Sequence, residues 1–357
     1  MIKGTAIILT NGWFDNFHAK TAHGLLRRSE SYDIISLIDP RFAGNDAGIL
    51  LNGKTSGVPI YTTVAEAIEK LHRKPDYCII GITLHGGILP QPLRKEIINA
   101  IKNGISIVSG LHSYLSDDPE FKSLAEKAHV KIIDVRKPRP IQELRFWTGE
   151  ICTVKTPRIA MLGTDCNIGK RTTGLFIMEM CQQNGIKTEM IYTGQTGLMQ
   201  GLKYGFIFDA TLNDFIGGEI ERVIIECERE SSPDLILIEG QASLLNPSGT
   251  CGSEFLLSGD VKGVILQHAP GRKYFEGFEE LKRQLPLVEA EIDLIHRFGA
   301  RTLAVTLNEE GMDDTHLNQY KNKLLKLLSI PVVRPLKEGV AGLLLTIQKY
   351  ISEETQS

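Results

Sequence analysis

The segment Gly163-Thr164-Asp165-Cys166-Asn167-Ile168-Gly169-Lys170-Arg171-Thr172-Thr173 constrains this chain more than any other stretch. It follows a strand-like apolar run, Arg158-Ile159-Ala160-Met161-Leu162, and opens a helix-period segment from Lys170 to Asn184. Gly185 can end that helix as a left-handed cap. Glycines let backbone N–H groups turn inward around an anion with no Cβ in the way. The helix N-terminus adds about half a positive charge, and a lysine in its first turn reaches over the bound group. The spacing therefore predicts a phosphate cradle, with contacts from Gly163, Thr164, Asp165, Cys166, Asn167, Ile168, Gly169, Lys170, Arg171 and Thr172.

The cradle departs from the usual pattern in two ways. Five residues rather than four separate Gly163 from Gly169. Arg171 stands directly after the lysine, where a hydroxyl normally coordinates magnesium. Thr172 comes one residue late, turned about 100° around the helix. A guanidinium can grip phosphate through two donors but cannot bind a metal. The loop is thus built to hold phosphate, with its metal-dependent role weakened.

Short β-rich runs alternate with helix-period segments along the whole chain, which predicts parallel sheets flanked by helices. The strands expected in the first half are 6–9, 34–38, 77–80, 106–109 and 130–133. The helices expected between them are 18–28, 64–71, 94–103 and 119–128. In the second half, strands are expected at 159–162, 188–192, 235–238, 263–267, 302–306 and 331–333. At 357 residues the chain exceeds what one core sustains. Pro138, Pro140 and Pro157 punctuate a stretch of weak periodicity. We therefore expect domains at 1–140 and 158–357, joined by a linker at 141–157.

Net charge is −3, without the basic excess a nucleic-acid partner calls for. The six cysteines contain no Cys-x-x-Cys pair, and no metal site other than magnesium is expected. No apolar run approaches bilayer length, and the first residues lack the pattern of a signal peptide. A cytoplasmic protein that acts on a small molecule, without membrane or nucleic-acid partners, is the expectation.

Several residues fall at strand ends, the edge where open α/β sheets bind ligands. Glu239 ends an apolar strand, and a carboxylate there is costly unless it meets a cation, a metal or an amine. It is a candidate base or metal ligand. His268 follows another strand and is a second catalytic candidate. Arg272, Gln195, His112 and Asp214 are candidate substrate contacts, Asp214 equally a plain helix cap. His85 follows a strand in the same way. Asp39 ends the second strand, where dinucleotide enzymes place a ribose contact, but no Gly-x-Gly-x-x-Gly accompanies it.

The spelling Gly-Thr-Asp-x-x-x-Gly-Lys, with Asp234-Leu235-Ile236-Leu237-Ile238-Glu239-Gly240, resembles the loop and metal-facing glutamate of dethiobiotin synthetase-like P-loop proteins. A closer resemblance covers nearly the whole chain. Gly110-Leu111-His112, Asp134-Val135-Arg136-Lys137-Pro138, the Gly-Thr-Asp-Cys loop, Glu239-Gly240-Gln241 and His268-Ala269-Pro270-Gly271-Arg272 occur in order. Together they resemble a former unknown-function family that includes the bacterial D-glutamate N-acetyltransferases. The resemblance implies an α/β protein with two doubly wound parallel-sheet domains, Rossmann-like then P-loop, and a homodimer. It implies transfer of acetyl from acetyl-CoA to the amine of a small acidic, D-configured amino acid, with the loop clamping coenzyme A phosphates. Two rival readings stand beside it. One is an ATP/Mg-dependent ligase or kinase using Lys170 and Glu239. The other is a nucleotide-sensing protein without chemistry of its own.

Overall fold

The computed structural model describes residues 3–83 and 89–356. Its chain separates into two compact units. One comprises Met1–Pro138 with Gln195–Lys203, and the other Arg139–Gly194 with Tyr204–Ser357.

The first unit carries strands β1 (Gly4–Leu9), β2 (Tyr32–Ile38), β3 (Ile60–Tyr61), β4 (Tyr77–Ile80), β5 (Ser106–Ser109) and β6 (Ile132–Asp134). They form a parallel sheet in the order β3-β2-β1-β4-β5-β6, which reverses at β1 as doubly wound sheets do. Helices α1 (Lys20–Arg27), α2 (Ala47–Asn52), α3 (Val64–Leu71), α4 (Gln91–Lys102) and α5 (Pro119–Ala128) alternate with the strands. Ile7, Ile8, Leu9, Ile79 and Val108 are almost wholly buried, because a parallel sheet covered on both faces has no solvent side. Each such side chain contributes roughly 1.5–3 kcal/mol through its burial. Thr63 caps α3 by accepting from Glu66 N, and Asp118 caps α5 with Pro119 behind it.

The second unit begins with β7 (Arg158–Gly163) and α6 (Lys170–Gln183), followed by β8 (Thr188–Tyr192). The chain then leaves to add α7 (Gln195–Gln200) to the first unit. There Gln200 Nε2 donates to Gly24 O at 2.8 Å, and the Thr21 and Thr196 hydroxyls pair at 3.1 Å. On its return it forms β9 (Tyr204–Gly205), α8 (Asn213–Ser231), β10 (Leu235–Glu239), α9 (Ser253–Leu257) and β11 (Gly263–His268). It closes with α10 (Val288–Arg297), β12 (Arg301–Leu307), α11 (Asp314–Leu328), β13 (Val332–Val333), α12 (Pro335–Glu338) and α13 (Leu344–Gln356). The sheet is parallel throughout, in the order β13-β12-β11-β7-β10-β8-β9. The two α/β parallel sheets expected from the alternation of elements are therefore present. Among the described residues, no helix is long and apolar enough to cross a membrane.

Short elements escape a periodicity reading. The two-residue strands β3 and β9 and the six-residue helices α2 and α7 carry too few residues to show a repeat. The proline-punctuated stretch after Pro138 is folded down onto α8. Glu219 accepts from Arg139 Nη1 at 2.7 Å and from Arg145 N at 3.3 Å. Glu221 accepts from Thr148 N at 2.7 Å and Ile151 N at 3.1 Å. Gly218 makes this possible, since a Cβ there would stand 1.9 Å from Arg145 O.

Candidate anion-binding site

β7 lies between β10 and β11, with Met161 in register with Glu239 and Gly163 with Gln267. The carboxyl end of β7 therefore delivers the Gly163–Thr172 loop between the ends of both neighbours. Asn167 and Gly169 adopt left-handed backbone, φ 53° and 100°, which turns the loop back toward α6. Packing is close at Gly163, where a Cβ would meet Ile168 Cδ1 at 2.8 Å, Lys170 Cδ at 3.0 Å and Gln267 O at 3.2 Å.

Among the described residues, no protein group accepts from the amides of Ile168, Gly169, Lys170, Arg171 or Thr172. The next amide, Thr173 N, returns to Gly169 O at 3.0 Å as an ordinary helix bond. Amides left open at the start of a helix are suited to receive an anion. Cys166 N is different, since it donates to Asp165 Oδ1 at 2.7 Å. Lys170 is buried, and its ammonium donates to Asp165 O at 2.5 Å and Ala242 O at 2.9 Å. Both acceptors are neutral carbonyls, so the positive charge stays available to an incoming anion.

A shell of side chains fixes the loop. Asp165 is fully buried and accepts from Arg272 Nη1 at 3.1 Å, Glu276 N at 3.0 Å and Asn246 Nδ2 at 3.2 Å. Asn308 Nδ2 donates to Ile168 O at 2.9 Å, and Asn167 Nδ2 to Glu276 Oε1 at 2.5 Å. Thr173 anchors the first turn of α6 through Gln267 Oε1 at 2.8 Å, and Thr306 holds the same oxygen at 2.5 Å.

Glu239, at the end of β10, comes together with the loop. Its Oε1 lies 3.3 Å from Arg171 Nη1, and its Oε2 accepts from Thr193 N at 3.1 Å. The carboxylate is buried, so the guanidinium offsets a charge that would otherwise be costly. Arg171 Nε is buried without a partner among the described residues.

His268 also reaches the loop. Its Nδ1 lies 2.9 Å from Thr164 Oγ1 and its Nε2 3.0 Å from Tyr320 OH. Burial pushes its pKa down to about 4, so the ring is neutral near pH 7 with both nitrogens engaged. This arrangement suits a neutral hydrogen-bond bridge that orients Thr164, not the proton acceptor expected from its strand-end position.

The remaining candidates are placed elsewhere or spent on structure. Arg272, a candidate contact to a substrate carboxylate or a phosphate, is committed to the loop through Asp165 Oδ2 and Cys166 O, and to Glu310 Oε2 at 2.8 Å. Gln195 belongs to the first unit, buried, where its Oε1 accepts from Arg136 Nη2 at 2.8 Å. Arg136 also donates to Gly110 O at 2.7 Å, and burial lowers its pKa to about 10. His112 is exposed on the turn after β5. Asp214 is exposed in the first turn of α8, whose cap position is Leu212; it complements the helix dipole without capping. His85 lies outside the described residues. Asp39 is wholly buried and accepts from Thr10 Oγ1, Gly12 N, Phe14 N and Arg41 N. Those four donors saturate it, which corrects the reading of a ribose contact.

Asn246, Glu276, Asn308 and Tyr320 support the site without having been legible as such. They follow no motif spacing and arrive from four separate places in the chain. The one signal available was Gly240-Gln241-Ala242, contiguous with Glu239, since Ala242 O receives Lys170.

Comparison with known proteins agrees with this architecture. Residues 40–138 match the Rossmann-like domain of the family described as a domain of unknown function, DUF1611, and residues 145–344 match its P-loop domain. A protein of Pseudoalteromonas sp named D-glutamate N-acetyltransferase is 30% identical over 269 residues, covering 73% of this chain and 78% of that protein. One of the same name from Tritonibacter scottomollicae is 27% identical over 272 residues, covering 74% and 79%. The crystal structure of a DUF1611 family protein from Anabaena variabilis matches with a TM-score of 0.87 and 26% identity, over 97% of this chain and all of that one. With both domains matched in order and a full-length structural counterpart, this chain is a member of the DUF1611 family.

Proposed function

We propose that this protein is an N-acetyltransferase that moves acetyl from acetyl-CoA to the amine of a small acidic amino acid, D-glutamate being the first acceptor to test. The observation that carries the reading is the Arg171–Glu239 pair. In a magnesium-dependent P-loop enzyme those two positions hold the metal hydroxyl and a metal-facing carboxylate. Here a guanidinium fills the first and neutralises the second. A loop so arranged grips phosphate through the Ile168–Thr172 amides, Lys170 and Arg171, and has no need to cleave it. The names of the two relatives support the choice of acyl transfer.

The residues present fit coenzyme A phosphates: among the described residues, five amides have no protein acceptor, a buried ammonium rests on neutral carbonyls, and an arginine Nε has no partner. Bound acetyl-CoA supplies a thioester carbon for attack by the amine, with the thiolate leaving and the amine losing a proton. Of the residues at the site, Glu239 is the group we assign to take up that proton. It is a buried carboxylate fixed by Thr193 N, and Arg171 stabilises its charge. Thr164, oriented by neutral His268, belongs to the loop itself.

Thermal-shift titration tests the reading, because a ligand at 100 times its Kd stabilises by about 2.7 kcal/mol. Coenzyme A should stabilise the protein without magnesium, and free thiol should appear when acetyl-CoA and D-glutamate are added together. Stabilisation by ATP only with magnesium, and none by coenzyme A, would instead make it a ligase or kinase of the dethiobiotin synthetase type. ATP binding without turnover on amines or carboxylates would make it a nucleotide sensor.

A further inference from the structure

Glu291, in the first turn of α10, is 1% exposed and takes no part in the reading above. Its Oε1 accepts from Leu245 N at 3.1 Å, and Leu244 N acts on it more weakly. These groups belong to the segment running from Ala242 to Asn246, which touches the phosphate loop at both ends. Ala242 O receives the Lys170 ammonium at 2.9 Å, and Asn246 Nδ2 donates to Asp165 Oδ1 at 3.2 Å. Ala242 is held at φ 31°, a left-handed conformation unusual for alanine.

The Lys170 charge acts on Glu291 more weakly than burial and the backbone donors do; the groups facing it from the Ala242–Asn246 segment are neutral. Burial raises the pKa of Glu291 to about 7, with the backbone donors and Lys170 pulling the other way. The same lysine therefore acts on a buried carboxyl group and belongs to the loop that would hold the anion. A phosphate in the loop claims the lysine's charge and adds a negative one, and both changes disfavour a carboxylate at Glu291.

We propose that filling the Gly163–Thr172 loop with a phosphate anion drives a solvent proton onto Glu291, so that ligand binding is proton-linked through a residue that never touches the ligand. The proposal rests on the loop being the anion site, as in the reading above, but not on the anion being coenzyme A. Affinity then rises as pH falls from above toward about 7 and levels off below it, by up to about tenfold for each unit by which the anion lifts the group's pKa.

The test is calorimetric titration of the full chain with coenzyme A and, separately, with ADP, near pH 7 in two buffers of different ionisation enthalpy. The wild-type protein should take up more protons per anion bound than Glu291→Gln, because the variant carries no titratable group there. The comparison removes any protons exchanged by the ligand's own phosphates. In the wild type alone, infrared difference spectra should gain a protonated-carboxyl band on anion binding, which keeps the test available should the variant fail to fold. Equal proton uptake in both proteins, or no such band, overturns the proposal. If ADP binds with Glu291-dependent uptake while coenzyme A does not bind, the acetyltransferase reading falls and this one stands. If neither anion binds, both fall.

Discussion

Arg171 Nη1 stands 3.3 Å from Glu239 Oε1, at the two positions where phosphate-cleaving relatives of this loop carry a metal ligand each. The pair satisfies a buried carboxylate without an ion and presents the guanidinium beside the amide nest. Replacing Arg171 by Ser removes a charge-assisted contact worth roughly 1.5–3 kcal/mol. Coenzyme A affinity should fall by about tenfold to a hundredfold, measured by calorimetry without magnesium. Unchanged affinity would remove Arg171 from the binding set.

Lys170→Met should be more severe for binding than for folding. The ammonium now bonds two backbone carbonyls, Asp165 O and Ala242 O, which lose a donor in the variant. That costs about 1–3 kcal/mol of stability, visible as a lower Tm. Anion binding should drop at least as far as in the Arg171 variant. A variant that binds coenzyme A as the wild type does would show that the anion lies elsewhere.

His268 makes stability depend on pH with a definite sign. Its folded pKa of about 4 lies below the ordinary 6.5, so between those values the unfolded chain binds more protons than the folded one. Stability is therefore lost as pH falls through that window, by up to about 3 kcal/mol. Denaturant melts across the window should show the loss in the wild type, and His268→Asn should flatten it. Equal slopes in the two proteins would mean that the ring is protonated in the folded state.

Asp39→Asn separates a structural carboxylate from a cofactor contact. Its four donors, Thr10 Oγ1, Gly12 N, Phe14 N and Arg41 N, fasten the turn that follows β1. Losing the charge should cost roughly 1–3 kcal/mol in a chemical melt. Coenzyme A affinity should stay as it is in the wild type; a parallel loss of affinity would return Asp39 to the list of ligand contacts.

Gly218→Ala probes the stretch that follows the first unit. The new Cβ would collide with Arg145 O at 1.9 Å, so the segment fastened by Glu219 and Glu221 must lift from α8. Overpacking of this kind costs about 1–3 kcal/mol. Limited proteolysis should cut near Arg145 in the variant before it cuts the wild type.

Local signals were enough to place the Gly163–Thr173 loop between a strand and a helix, and Glu239 at the end of a strand. A glycine's freedom at positive φ, an apolar run ending in a carboxylate, and a helix that starts at a lysine are all properties of neighbours in the chain. The roles of other residues depended on partners far away along it. Arg272 is written as a free cation after a strand, yet Asp165 and Glu310, 107 and 38 residues distant, consume it. Gln195 follows a strand of the second unit but is packed with Arg136 in the first. His268 reads as a base until Thr164 and Tyr320 take both its nitrogens and burial holds it neutral. Glu291 carries no motif at all. Sequence alone determined where the backbone could make an anion nest, because conformational preference is local. Which charged side chains serve that nest was decided by tertiary structure, because desolvation and ion pairing exist only once the sheet has brought distant residues within a few ångströms of each other.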